Sequence, residues 1–103
     1  MEVHFMNNRM KRSDPDCELY RAILKLKTPE ECYAFFHDLC TQTELRAVEQ
    51  RYRVARMLAS GMIYNDILTE TGASSATVSR VNRSLLNGND AYHMIFERMQ
   101  DEE

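Results

Sequence analysis

The chain has 103 residues, enough for one domain with one core. Three glycines, two prolines and no lasting alternation of apolar and polar residues mark it as all-α. A formal net charge of −3 argues against indiscriminate nucleic-acid binding, and no apolar run is long enough to cross a bilayer.

The charge is uneven. Asp101, Glu102 and Glu103 make an acidic end, whereas residues 46–83 carry an excess of arginine, which leaves room for a local basic surface. No secretory leader is read at the start. Cys17, Cys32 and Cys40 are odd in number and lack CxxC spacing, so a reduced, cytoplasmic protein is expected. Cys32 and Cys40 share a helix face with His37 near them, yet small buried thiols in an apolar stripe explain them better than a metal site. No metal is expected.

In chain order, residues 1–15 mix methionine, asparagine, arginine and lysine without periodicity and are expected as a flexible arm. Arg9, Lys11 and Arg12 are its basic residues. The domain proper is expected over 16–103. Ser13-Asp14-Pro15-Asp16 starts a first helix that runs to about Lys27, with Leu19, Ile23 and Leu26 inward. Thr28-Pro29-Glu30-Glu31 is a strong second start, with threonine as cap, proline in the first turn and Glu31 completing a capping box. Cys32, Phe35, Phe36, Leu39 and Cys40 then form a sharply apolar side, destined for a core or a subunit interface.

A third, longer helix is opened by Thr41 to Glu44, or by Thr43 alone, and is closed by Gly61. Wound at the helical period, Arg46, Glu49, Gln50, Arg53 and Arg56 gather on a polar arc. Ala47, Val48, Tyr52, Val54, Ala55 and Leu58 make a wide apolar arc, and Arg51 falls in its middle. A guanidinium left unpaired in a core costs roughly 3–5 kcal/mol, so Arg51 is expected to have a partner: a carboxylate, a carbonyl cluster or a bound anion.

Residues 64–85 read as two short helices at a tight corner, Gly72-Ala73-Ser74. Ile67 and Leu68 give the first an inward side. Gly72 suits the positive φ of a helix end, and Ser74 suits the N-cap of the next helix. After it Val78, Val81 and Leu85 face inward, while Ser75, Ala76, Ser79 and Arg83 face outward with Arg80 at the border. The outward side is small, hydroxylated and basic, with no acidic residue. Such a helix-turn-helix lays its second helix in a DNA major groove. An αα-corner with an ordinary solvated face is the alternative. Asn87-Gly88-Asn89-Asp90 ends this helix and starts the last, with Gly88 as C-cap and Asn89 or Asp90 as N-cap. Tyr92, Ile95, Phe96 and Met99 form its stripe.

Six short amphipathic helices carry more apolar surface than a small core hides. Phe35, Phe36, Tyr52, Tyr92 and Phe96 are hard to bury together, so a homodimer is expected. It would set two recognition helices one duplex turn apart, for a twofold-related DNA site.

Four segments carry a resemblance: CYAFFHDLCT at 32–41, RVARMLASG at 53–61, ETGASSATVSR at 70–80 and GNDAY at 88–92. With them the chain resembles the Trp repressor family, more specifically its YerC/YecD-like branch, over most of its length except the arm before about residue 16. The resemblance implies an intertwined all-α homodimer that binds operator DNA in the bacterial cytoplasm, at the nucleoid. In the family's founding member two arginines flank the bound tryptophan, and Arg51 and Arg80 match them. Thr41, Thr77 and Ser84 match other pocket positions. Val81 stands where a glycine lies against the indole, and would fill space the ring needs, so tryptophan is not expected as corepressor. A smaller or anionic ligand between Arg51 and Arg80, or a pocket closed by its own side chains, both stay open. One residue is missing just after Gly61, which sets the reading-head helices differently. The matching DNA-contact positions are Asn65, Leu68, Ser74, Ser75, Ala76, Ser79 and Arg83.

The expected function is thus a sequence-specific, DNA-binding transcription regulator, a repressor, acting as a homodimer. The alternative is a protein-interaction module that keeps the helix-turn-helix shape without specific DNA binding. An enzyme is not expected: His4, His37 and His93 fall on different elements, and no nucleophile motif or phosphate-binding glycine loop is present.

Overall fold

The computed structural model describes residues 14–102. Among them are six α-helices and no strand: α1 (Glu18–Ile23), α2 (Pro29–Leu39), α3 (Gln42–Ala59), α4 (Tyr64–Thr71), α5 (Ser75–Asn87) and α6 (Ala91–Gln100). They fall into two compact units, one ending at Leu39 and the other beginning at Cys40. The expected arm, with Arg9, Lys11 and Arg12, lies outside the described residues except for Asp14 and Pro15.

In the first unit α1 is shorter than expected, ending at Ile23 rather than near Lys27. After it, Lys25 and Leu26 donate to Ala22 and Ile23, the tight i→i−3 bonds of a closing helix. The reason lies downstream. The Lys27 amide donates to the Glu31 carboxylate at 2.8 Å, while the Glu31 amide donates to the Thr28 hydroxyl at 3.0 Å. The expected capping box is thus half made, because Glu31 reaches past Thr28 to the Lys27 amide, the one α1 would need to continue, and Pro29 keeps Thr28 out of helical geometry. Neither α1 nor α2 has a buried residue. Phe35 and Phe36 are half-buried and meet edge to face at 5.6 Å. Cys32 is exposed, so it is not the buried thiol expected, and Cys17 is half-buried.

In the second unit Thr41 opens α3 with a full capping box. Its hydroxyl accepts from the Glu44 amide and the Glu44 carboxylate accepts from the Thr41 amide. Gly61, with φ +89°, follows the end of the helix, as expected. Val54 and Ala55 of α3 pack with Ile67 of α4, Ala73 of the corner, and Val78 and Val81 of α5. Leu58, Met62, Leu68, Tyr92 and Phe96 lean on this core. Only the second half of α3 is covered in this way. Val48 is 52 % exposed and Arg51 is exposed. Leu45 is the one buried residue in the first half of α3, and the buried setting expected for Arg51 is absent in the single chain. Cys40 is half-buried.

Gly72 ends α4 at φ +72°, and Ser74 caps α5, its hydroxyl accepting from the Thr77 amide at 3.1 Å. Gly88 is the C-cap of α5, as expected, but for reasons of space: a Cβ there would run into the Ser84 carbonyl. The left-handed residue of that turn is Asp90, the N-cap of α6, at φ +65°. On α6, Phe96 meets Tyr52 at 5.6 Å and Tyr92 at 5.8 Å, with the Arg56 guanidinium 5.7 Å from its ring.

Candidate nucleic-acid interface

The corner between α4 and α5 is held by local chemistry. The Gly72 amide donates to the Leu68 carbonyl at 2.9 Å, and its left-handed φ, which glycine adopts without a Cβ penalty, turns the chain out of α4. The Thr71 hydroxyl donates to the Ile67 carbonyl at 2.7 Å and accepts from the Ala73 amide at 3.1 Å. Ala73 is buried, as are Ile67 and Val78 on either side of it. Corner and both helices are thus fixed to α3 by burial rather than hanging as a loop.

This anchoring sorts the side chains of α5. Val78, Val81 and Leu85 are buried, whereas Ser75, Ala76, Ser79, Arg80 and Arg83 are all exposed. No aspartate or glutamate lies anywhere in α5. Its exposed face therefore offers two serine hydroxyls, two guanidinium groups and the flat surface of an alanine. Serine and arginine bond phosphate oxygens, arginine bonds guanine in a bidentate fork, and a small side chain lets the helix approach.

The remaining contact candidates differ in freedom. Asn65 is exposed on α4. Leu68 is half-buried and packs against the core, so it presents only part of its side chain. Ser74 is exposed, but its hydroxyl is engaged, accepting from the Thr77 amide and donating to the Thr77 hydroxyl at 3.1 Å.

The candidate ligand residues are brought together in part. Thr77, Arg80 and Ser84 follow at steps of three and four on α5, so they share a side of that helix. Arg51 lies on α3, the helix that α5 packs against, and is exposed like Arg80 and Ser84. Thr41 is not brought to them within one chain. It lies ten residues before Arg51, about 15 Å along the axis of α3, and its hydroxyl serves as the helix cap. Val81, only 2 % exposed, belongs to the core beside these positions.

A residue not marked by the sequence is Gln50. It was expected on the polar arc of α3, yet its side chain reaches the Thr71 carbonyl at 3.2 Å. Nothing in the local pattern signals a bond across 21 residues.

With this geometry in view, comparison with known proteins is informative. Residues 17–100 match the family model described as Trp repressor protein. The uncharacterized protein YerC of Bacillus subtilis (strain 168) is 55 % identical over 86 residues, which cover 84 % of this chain and 83 % of that one. A crystal structure of a candidate Trp repressor from Staphylococcus aureus superposes with a TM-score of 0.81 at 48 % identity, covering 97 % of this chain and 95 % of the other. That of a TrpR-like protein from Eubacterium eligens ATCC 27750 gives 0.81 at 49 % identity, covering 91 % and 96 %.

Proposed function

The chain belongs to the Trp repressor family, and from that premise we propose that it is a sequence-specific, DNA-binding transcription repressor acting as a homodimer. One observation carries the reading: an exposed face of α5 that holds serine, alanine and arginine, with no acidic residue, on a helix whose other face is locked into a core. A solvated helix with no recognition task normally mixes both charges. This one presents only what a polyanion attracts.

In the proposed complex Ser75, Ala76, Ser79 and Arg83 enter the major groove, with Asn65, Leu68 and Ser74 at its margin. Homodimerisation is supported by the half of the chain that stays open. Tyr33, Leu39 and Val48 are 66 %, 49 % and 52 % exposed, and no residue of α1 or α2 is buried. A second copy that covers these faces would also set two α5 helices about 34 Å apart, one duplex turn. Operator binding is proposed to need no tryptophan, since Val81 occupies core space beside the Arg51 and Arg80 positions. Control by a small anion would act through those two exposed guanidinium groups, with Thr77 and Ser84 beside Arg80.

Selection of bound duplexes from a random pool, with and without added tryptophan, tests this. A palindrome should be enriched, and to the same extent in both arms. A gel shift that never saturates, and that vanishes equally for all sequences at moderate salt, would make the chain an interaction module instead. Within the operator complex, Arg83→Ala should cost roughly 1–3 kcal/mol at one base pair if Arg83 bonds guanine. If it bonds a phosphate, the loss should be uniform over sequences and the salt slope should fall. No loss in either measurement removes Arg83 from the interface.

A further inference from the structure

The N-caps and C-caps of this fold bind each helix to itself. Gln50 binds one helix to another. Its side-chain amide, projecting from the middle of α3, donates to the Thr71 carbonyl at 3.2 Å in a part-buried position. Thr71 is the last residue of α4, so its carbonyl is one of the four that the helix itself leaves without a partner. A half-buried carbonyl in that state is costly unless a donor is supplied. Gln50 supplies it. The same residue is tied on its other side, since the Thr71 hydroxyl bridges the Ile67 carbonyl and the Ala73 amide. Backbone bonds and core packing define the corner, and the Gln50 amide adds a directional link from α3 to the point where α4 turns into α5.

We propose that Gln50 is a positioning residue for DNA recognition. Its amide latches the α4–α5 corner to α3 and so sets the angle at which the outward face of α5 meets a duplex. The inference rests on the DNA-binding reading above. Base contacts need that angle, whereas the attraction of guanidinium groups for phosphates tolerates a looser one. A broken latch should therefore lower discrimination more than it lowers attraction.

The test uses the full chain carrying Gln50→Met, which keeps the length and removes the donor. Two quantities are read at a temperature where circular dichroism shows both proteins fully folded. In the free protein, amide exchange at Gly72 and Ala73, whose amides are bonded to Leu68 and Thr71, should accelerate about tenfold, while Val54 and Ala55 keep their protection. Affinity for the selected duplex should fall about tenfold while affinity for random duplex stays unchanged. Should the methionine variant fail to fold, Gln50→Glu replaces it. Near pH 4 a protonated glutamic acid can still donate to the carbonyl, and at pH 7 its carboxylate cannot, so the corner should exchange slowly at the first pH and quickly at the second, each relative to wild type. Unchanged exchange at the corner overturns the latch. Acceleration spread evenly over corner and core reduces it to general stability. Faster corner exchange with an unchanged ratio of specific to random affinity overturns the positioning role. A wild-type chain with no preferred duplex would sink the DNA reading instead, and the exchange data would still say whether the latch holds.

Discussion

The stretch from Val54 to Leu85 closes a core within itself, and the opening helices do not. From Val54 onward, α3, α4 and α5 close a core in which Val54, Ala55, Ile67 and Val78 have no exposed surface. Helices α1 and α2 are just as apolar in pattern, yet bury nothing completely. Both stretches have helical periodicity, and each holds at least one side-chain cap, so periodicity does not separate them. What separates them is whether other elements of the same chain cover the apolar face. The reading head needs its shape fixed before it meets DNA, and it has a complete core. The opening helices have apolar surface left over, and surface left over at helical spacing is what a second copy of the chain would use.

The contrast can be broken from either side, and the largest effect is expected in the unfinished part. Phe36→Asp puts a carboxylate on the half-buried apolar side of α2. If that side is a dimer interface, sedimentation should show monomer at micromolar concentration. Operator affinity should then drop roughly 10²–10⁴-fold, because the second half-site loses its tethered partner. A wild-type chain that sediments as monomer at the same concentration removes the interface. Ile67→Ala acts in the finished part. Ile67 is fully buried, so truncation should cost about 2–5 kcal/mol in urea unfolding. The sharper measurement is the double variant. If the reading head stands on its own core, the Ile67 loss should be nearly the same with Phe36→Asp present. A large coupling between the two would mean that the two regions share one core after all.

The same contrast explains how much was legible in the sequence. Gly72 and Ser74 were identifiable as caps because each acts within four residues, where residue type and spacing carry the whole argument, whereas the start of α3 was narrowed only to residues 41–44. The inward set Val78, Val81 and Leu85 was legible for the same reason. The end of α1 was not, because two helices compete for the Lys27 amide and the Glu31 carboxylate wins it. The exposure of Arg51 in the single chain was not legible, because periodicity tells which residues share a side of α3, but not whether anything covers that side. Gln50 could be read only as a member of the polar arc, since its partner, Thr71, sits on another helix. In the candidate interface, then, the side chains that face outward could be read directly, and the bond that links their corner to α3 could not.

The smallest effect is expected where finished core and exposed face meet, at Ser74. Its hydroxyl caps α5 through the Thr77 amide, and it also stands among the proposed DNA contacts. Two substitutions pull these roles apart. Ser74→Ala removes the cap and should cost about 0.5–2 kcal/mol of stability, read by thermal or urea unfolding. It should alter operator affinity little under conditions where the protein stays folded, because the engaged hydroxyl has little left to offer a phosphate. Ser74→Asp should do the reverse. A carboxylate caps the Thr77 amide as well as a hydroxyl does and suits the positive end of a helix, so stability should hold. It would also place the first negative charge on a face that has none, beside a polyanion, and operator affinity should fall. Should the aspartate variant bind the selected duplex as tightly as wild type, the start of α5 does not face DNA, and the absence of acidic residues along that helix would need a different explanation.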